Sequence, residues 1–215
     1  MSETSTVVTP EYFQYLAERT TAQDGFLSEL KAAATAAGIP SIWIAPEQAS
    51  LMQILLRGIG AREVVEVGTL AGYSAISMAR ALPPEGRVRT IELDPARVKF
   101  TRSWVARSDA AGKVEVLEGA GTDVLATLAS DSADAAFIDA DKPNYPRYLK
   151  ECMRIVCRGG LIMVDNAFAF GRLFEQDADD DVKAVRAFND LMARTRKLQS
   201  VIVPIGDGLW VGVRL

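Results

Sequence analysis

No histidine occurs anywhere in the 215 residues. Its absence excludes Ser-His and Cys-His nucleophile pairs and every imidazole-ligated metal site, so acid–base chemistry falls to Lys, Asp, Glu, Tyr or Cys. Cysteine is nearly as scarce. Cys152 and Cys157 lie five apart in what the pattern suggests is one helix, a spacing that fits neither a disulfide framework nor a zinc site and suits a reducing cytoplasm. No run of about 18 apolar residues is present to cross a bilayer, and the opening "MSETSTVVTPEYF" has neither a basic segment nor an apolar core, so neither export nor membrane insertion is expected. Positive charge is not in excess either. A net charge of −4 offers no broad basic field to a phosphate backbone, which disfavours a nucleic-acid partner and points to a small substrate.

What is present is ample apolar material: 49% hydrophobic residues, enough to bury both faces of a sheet in one domain spanning 1–215. Residues 1–58 read as a helical extension, with helices over 10–19, 24–37 (closed by Gly38 and Pro40) and 46–58, where Pro46 suits a first turn. From residue 62 onward, short apolar runs alternate with helical segments, which predicts strands joined by crossover helices in a parallel sheet. The runs are 62–67, 88–92, 113–117, 135–139 and 161–165. Two more, 200–204 and 209–213, are separated only by "IGDG", which is too short for a crossover and predicts an antiparallel hairpin turning at Asp207-Gly208. The acidic stretch 175–181 reads as a solvated loop entering a helix, where negative charge suits the helix dipole. Together these elements describe an α/β protein with a doubly wound sheet, whose ligands sit beyond the carboxyl ends of the strands.

The first strand runs into "EVGTLAGYSA", which places Glu66, Gly68, Gly72 and Ser74 between a strand and a helix. Gly68 permits a tight turn and close ligand approach, and a nucleotide-like ligand is the natural occupant. The glycines are not spaced as in the dinucleotide fingerprint G-x-G-x-x-G, and an acid points into the same pocket, which would repel phosphates but hold an amine. The second strand ends at Glu92, twenty residues after Gly72, where an acid commonly takes ribose hydroxyls. An adenosine ligand with a cationic tail and no phosphate satisfies both acids, and S-adenosylmethionine is such a molecule.

The fourth strand ends at Asp139 and the fifth at Asp165-Asn166, so three oxygen donors converge from two strand ends. An all-oxygen set favours a hard cation such as Mg²⁺, which takes roughly six ligands and would leave about three positions for substrate and water. Each acid taken alone also suits a helix N-cap or a loop hydrogen bond. Lys142, three residues beyond Asp139, reaches the same region either as a base or as a salt-bridge partner of Asp141. Phe168, Phe170, Tyr145 and Trp210 either wall an aromatic pocket or belong to the core.

These motifs carry a family resemblance. From "APEQASLMQILL" through "VVEVGTLAGYSAISMA", "IELDPARV", "GAGTDVL", "FIDADKPNY" and "IMVDNAFAFGR" to "PIGDGLWVGVR", the chain resembles the metal-dependent, S-adenosylmethionine-using O-methyltransferases related to catechol and caffeoyl-CoA O-methyltransferases. The resemblance implies a Rossmann-like class I methyltransferase fold over 62–215, with a seven-stranded, mostly parallel sheet and a reversed last strand. It also implies a homodimer involving the N-terminal helices. By resemblance Glu66, Gly68, Thr69 and Ser74 hold the methionine part of the cofactor, Glu92 takes the ribose hydroxyls, Gly121 lies beside the adenine, and the chain near Ile44 closes over it. Asp139 touches cofactor and metal; Asp139, Asp165 and Asn166 match the metal ligands, and Lys142 matches the general base. The chain departs from the family pattern at Leu70-Ala71 and at Ala169, both on the presumed acceptor side.

The implied activity is methylation of one hydroxyl of a vicinal dihydroxy aromatic, a small phenolic substrate, using a divalent cation. Two other readings stand beside it: an inactive cofactor-sensing or partner-binding protein on the same fold, and a nicotinamide-dependent oxidoreductase, against which the glycine spacing speaks.

Overall fold

The computed structural model describes residues 9–20 and 23–215. Three helices come first: α1 (Pro10–Ala17), α2 (Gly25–Ala36) and α3 (Pro46–Gly58). Asp24 caps α2 by accepting from Leu27 N at 2.9 Å, and proline opens both α1 and α3, where a missing N–H costs nothing. The alternating part then runs β1 (Glu63–Val67), α4 (Tyr73–Ala79), β2 (Arg87–Glu92), α5 (Pro95–Val105), β3 (Val114–Glu118), α6 (Gly121–Thr127) and β4 (Ala133–Ile138). A single 3₁₀ turn (Lys142–Asn144) leads into α7 (Tyr145–Ile155), β5 (Val156–Val164), α8 (Asp180–Arg194), β6 (Leu198–Val203) and β7 (Leu209–Arg214).

The seven strands form one sheet in the order β3-β2-β1-β4-β5-β7-β6, with β7 antiparallel to both neighbours and the other pairings parallel. The hairpin expected from "IGDG" therefore exists, its turn closed by Gly208 N donating to Ile205 O at 3.0 Å. Successive strand residues face opposite layers. Val64, Phe137 and Met163 join α2–α5 in one core, whereas Val65, Ile138 and Val164 join α7 and α8 in the other. Strand order reverses between β1 and β4, and the crevice at their carboxyl ends is where this class of sheet places its ligands.

Two sequence expectations need correction. Cys157 is not helical: α7 stops at Ile155 and Val156 is already extended and paired with Ala133. β5 thus begins well before the expected 161, because the Gly159-Gly160 pair marks a bulge and not a turn. Pairing jumps from Ala133↔Val156 to Ala135↔Leu161, with Gly159 at φ +82° absorbing the surplus. The acidic stretch behaves as expected, Asp179 capping α8 by accepting from Val182 N at 3.0 Å.

Candidate active site

β1 and β4 lie side by side, and the loop leaving β1 presses directly on the end of β4. Gly68 sits at φ +99°, and a Cβ there would stand 1.8 Å from the carbonyl oxygen of Asp139. Only glycine permits that approach. A cavity of about 390 Å³ opens above this junction, lined by Gly68, Thr69, Ser74, Glu92, Gly121 and Asp139 among others. Ile44 closes its far side together with Ile42 and Trp43, on the segment joining α2 to α3. Gly121 opens α6 at a point where a Cβ would meet Val67 Cγ1 at 2.7 Å and the Tyr148 ring at 2.8 Å, so the cavity wall there is bare backbone.

Glu66 stands one layer behind this lining. It is fully buried in β1, its two oxygens accepting from the Ser74 hydroxyl and, at 2.5 Å, from Thr90 Oγ1. Thr90 in turn shares a hydrogen bond with Thr69 at 2.5 Å. Burial pushes the Glu66 carboxyl up to about 8, against the two hydroxyl donors that favour its charged form. Glu66 therefore shapes the cavity through Ser74 and Thr69. Glu92, at the rim of β2, accepts from Leu70 N at 2.9 Å and Asp94 N at 3.0 Å; a carboxylate has about four acceptor positions, so roughly two remain for a ligand.

Lys142 occupies the floor between β4 and β5. Its ammonium donates to Asn166 Oδ1 at 2.5 Å, Tyr145 OH at 2.7 Å and Ala140 O at 3.0 Å, and lies 3.4 Å from Asp139 Oδ1. The alternative pairing with Asp141 does not form: Asp141 accepts from Tyr148 OH and the Asn144 amide. Asp165 accepts from Gln48 Nε2 at 2.8 Å. Burial and the neighbouring Asp139 charge push Asp165 up to about 7, and burial also raises Asp139, offset in part by Lys142. A buried carboxylate, a half-buried one that repels it and an amide oxygen, all hard donors, suit a divalent cation, whose charge would relieve that repulsion. Among the described residues no three Asp, Glu, Cys or His groups come together, so the candidate set depends on the amide of Asn166 as its third member.

A second cavity of about 450 Å³ adjoins the first, sharing Trp43, Asn166 and Phe170 with it and adding Gln48, Asp165 and Asp207. Of the four aromatic residues that sequence offers as wall or core, Tyr145 and Trp210 are core, while Phe170 lies on both cavities. Phe168 packs under the hairpin turn, its ring 2.9 Å from where a Gly208 Cβ would be. Sequence reasoning missed two residues of the site. Gln48 holds Asp165 from α3, and Asp207, read only as a turn residue, accepts from Asn166 Nδ2 at 3.1 Å and Phe170 N at 2.8 Å. The signal for Gln48 was a polar residue on the inward face of an amphipathic helix, where it is 1% exposed.

Comparison with known proteins agrees with this geometry. A family model described as O-methyltransferase matches residues 17–215. The chain is 34% identical over 207 residues to a catechol O-methyltransferase of Mycobacterium tuberculosis, covering 96% of this chain and 94% of that protein. Among solved structures it resembles the cofactor-bound protein Rv0187 from MTB, with TM-score 0.88, 32% identity and coverage of 98% and 99%. It also resembles an O-methyltransferase from Bacillus cereus in complex with SAH, with TM-score 0.85, 30% identity and coverage of 94% and 96%.

Proposed function

Because the chain belongs to the O-methyltransferase family, we propose that it moves the methyl group of S-adenosylmethionine to one hydroxyl of a vicinal dihydroxy aromatic, with a divalent cation at Asp139, Asp165 and Asn166. The observation that carries this reading is the position of Lys142, which lines the first cavity with its ammonium between Asp139 and Asn166, the latter lining both cavities. S-adenosylmethionine supplies a methyl group on a sulfonium, and the solved relative holding SAH supports its use here. A cation on the two carboxylates and the amide supplies positive charge that favours ionisation of an acceptor hydroxyl.

The chain's own residues do the rest. Glu92 offers its free acceptor positions to sugar hydroxyls, Ser74 and Thr69 present hydroxyls backed by Glu66, and Ile44 covers the ligand from above. Lys142 Nζ, after giving one of its protons to solvent, takes the proton of the acceptor hydroxyl, and the two contacts kept by its remaining N–H groups hold it in place for that transfer. Trp43 and Phe170 line the place where acceptor and donor would meet, and orientation of the two there supplies much of the rate gain. No covalent enzyme intermediate is required.

The chain 1–215 serves as one domain, in which α2 and α3 of the helical extension pack on the core 62–215. Helix α1 exposes Tyr12, Phe13, Tyr15 and Leu16 and buries nothing, which supports a homodimer covering that face. No helix among the described residues is long and apolar enough to cross a membrane, and both cysteines are free, which supports a cytoplasmic setting. The test is a screen of labelled S-adenosylmethionine with Mg²⁺ against vicinal diphenols, monophenols and aliphatic diols. Methyl ethers confined to the vicinal diphenols support the reading, and equal labelling of monophenols overturns it.

A further inference from the structure

The second cavity is lined by groups of two kinds. Asp165, Asn166 and Asp207 bring side-chain oxygens from the loop after β5 and the hairpin turn, while Lys31 reaches the lining from α2. Among the described residues that line it, Lys31 alone carries positive charge. The Lys31 ammonium is held by neutral groups. It donates to Gln23 Oε1 at 2.8 Å and lies 4.0 Å from the centroid of the Tyr73 ring and 5.5 Å from that of Trp43. Glu47 is the carboxylate whose field it feels, yet Glu47 is not part of the cavity lining, and one of its oxygens is buried with no hydrogen-bond partner among the described residues. The side chain is therefore fixed by two ring faces and an amide and partly withdrawn from water, and the two carboxylates of the cavity, Asp165 and Asp207, are bonded to Gln48 and to Asn166 and Phe170 N instead of to Lys31. A cation in that setting gains more from an anion than it would on an open surface.

We propose that Lys31 forms an anion subsite in the acceptor cavity, and that the acceptor is a vicinal diphenol carrying a carboxylate on the side of the ring away from its hydroxyls. The proposal rests on the preceding reading, which places the hydroxyls at the Lys142 and Asp165-Asn166 end. Trp43 and Phe170 then flank the ring, and a cavity of about 450 Å³ is of a size to hold such a molecule. The competing account makes Lys31 a prop that only packs Tyr73 against Trp43. Loss of a prop would weaken every acceptor alike, whereas loss of an anion subsite changes the ranking of acceptors.

The experiment compares protocatechuate with its primary amide, which has the same ring and hydroxyls but no charge, using the full chain with S-adenosylmethionine and Mg²⁺. The ratio of kcat/KM for the acid over the amide should exceed about 10 in the native protein, the size expected of one charge-assisted hydrogen bond. It should fall to near 1 in Lys31→Gln and persist in Lys31→Arg, a ratio insensitive to how much of each variant is folded. A native ratio near 1, or an unchanged ratio in Lys31→Gln, overturns the proposal while leaving diphenol methylation standing. If neither compound is methylated, the functional reading fails instead. Calorimetric binding of the same two compounds to the native protein and Lys31→Gln, with S-adenosylhomocysteine and Mg²⁺ present, then decides the subsite: tighter binding of the acid that is lost in Lys31→Gln supports it, and equal affinities overturn it.

Discussion

Asp207 and Asn166 are joined by a hydrogen bond of 3.1 Å, the Asn166 amide nitrogen donating and the Asp207 carboxylate accepting. That bond decides which way the amide faces, because it leaves Oδ1 turned toward Lys142 and the neighbouring carboxylates. The same carboxylate accepts from Phe170 N at 2.8 Å and Gly171 N at 3.3 Å, so the hairpin turn also holds the loop after β5. Asn166, Ala169 and Phe170 all have positive φ, a conformation that non-glycine residues keep only when their surroundings enforce it. Asp207→Ala should therefore weaken Mn²⁺ binding by about 10- to 100-fold, the usual effect of losing a group that orients a ligand. Titration followed by electron paramagnetic resonance reads this directly, and an unchanged affinity would show that Asn166 needs no such partner.

Removal of the metal should abolish turnover reversibly. With EDTA, methyl transfer to a vicinal diphenol should fall to background and return on adding excess Mg²⁺, because the acceptor hydroxyl would lose the positive charge that favours its ionisation. Full activity under chelation would remove the cation from the mechanism.

Lys142→Ala should lower turnover by about 10²-fold or more while leaving S-adenosylhomocysteine affinity near native. It also leaves Asn166 Oδ1 without its buried donor, so stability should drop by about 1–3 kcal/mol. Turnover close to native in this variant would make Lys142 structural.

The Glu66 carboxyl is raised to about 8 in the folded chain from an ordinary 4.5, so the folded state holds its proton more tightly than the unfolded one does. The stability this contributes is complete below the unfolded value and drains away as pH rises toward 8, by at most about 1.4 kcal/mol per pH unit. Glu66→Gln cannot ionise. Denaturation in urea from pH 5 to 8.5, with EDTA present, should show the Gln variant gaining on the native protein as pH rises. Parallel profiles would contradict the assignment.

Gly68→Ala should be among the most damaging single methyl additions available. The new carbon would fall 1.8 Å from the backbone oxygen of Asp139 and force a residue with a side chain to hold φ +99°. A loss of at least about 2 kcal/mol is expected, along with most of the affinity for S-adenosylhomocysteine. Calorimetric unfolding and ligand titration on the same sample check both.

Sequence was most informative where chemistry and strand ends coincide. Asp139, Lys142, Asp165 and Asn166 were legible because charges following apolar runs stand out, and the hairpin because four residues cannot hold a crossover helix. What stayed hidden depended on partners distant along the chain. Gln48 meets Asp165 across 117 positions, and its place on the inward face of α3 marks it as buried without naming its partner. Asp207 looked complete as a turn residue, although its side chain serves another loop. Glu66 read as a pocket carboxylate because its strand position is right, but Ser74 and Thr90 cover it. The early start of β5 was concealed by paired glycines that signal turns far more often than bulges.

The two cavities are built from different parts of the chain, and this bears on how relatives can diverge. Walls of the first come largely from the tips of β1, β2 and β4, whose spacing is locked by the ladder itself. Walls of the second come largely from connections, 42–45, 165–170 and 206–207, joined by Lys31 of α2 and the first turn of α3, and those connections can lengthen or change composition without disturbing a single rung. A lineage could thus exchange one methyl-accepting compound for another many times over while its donor machinery stayed as it was.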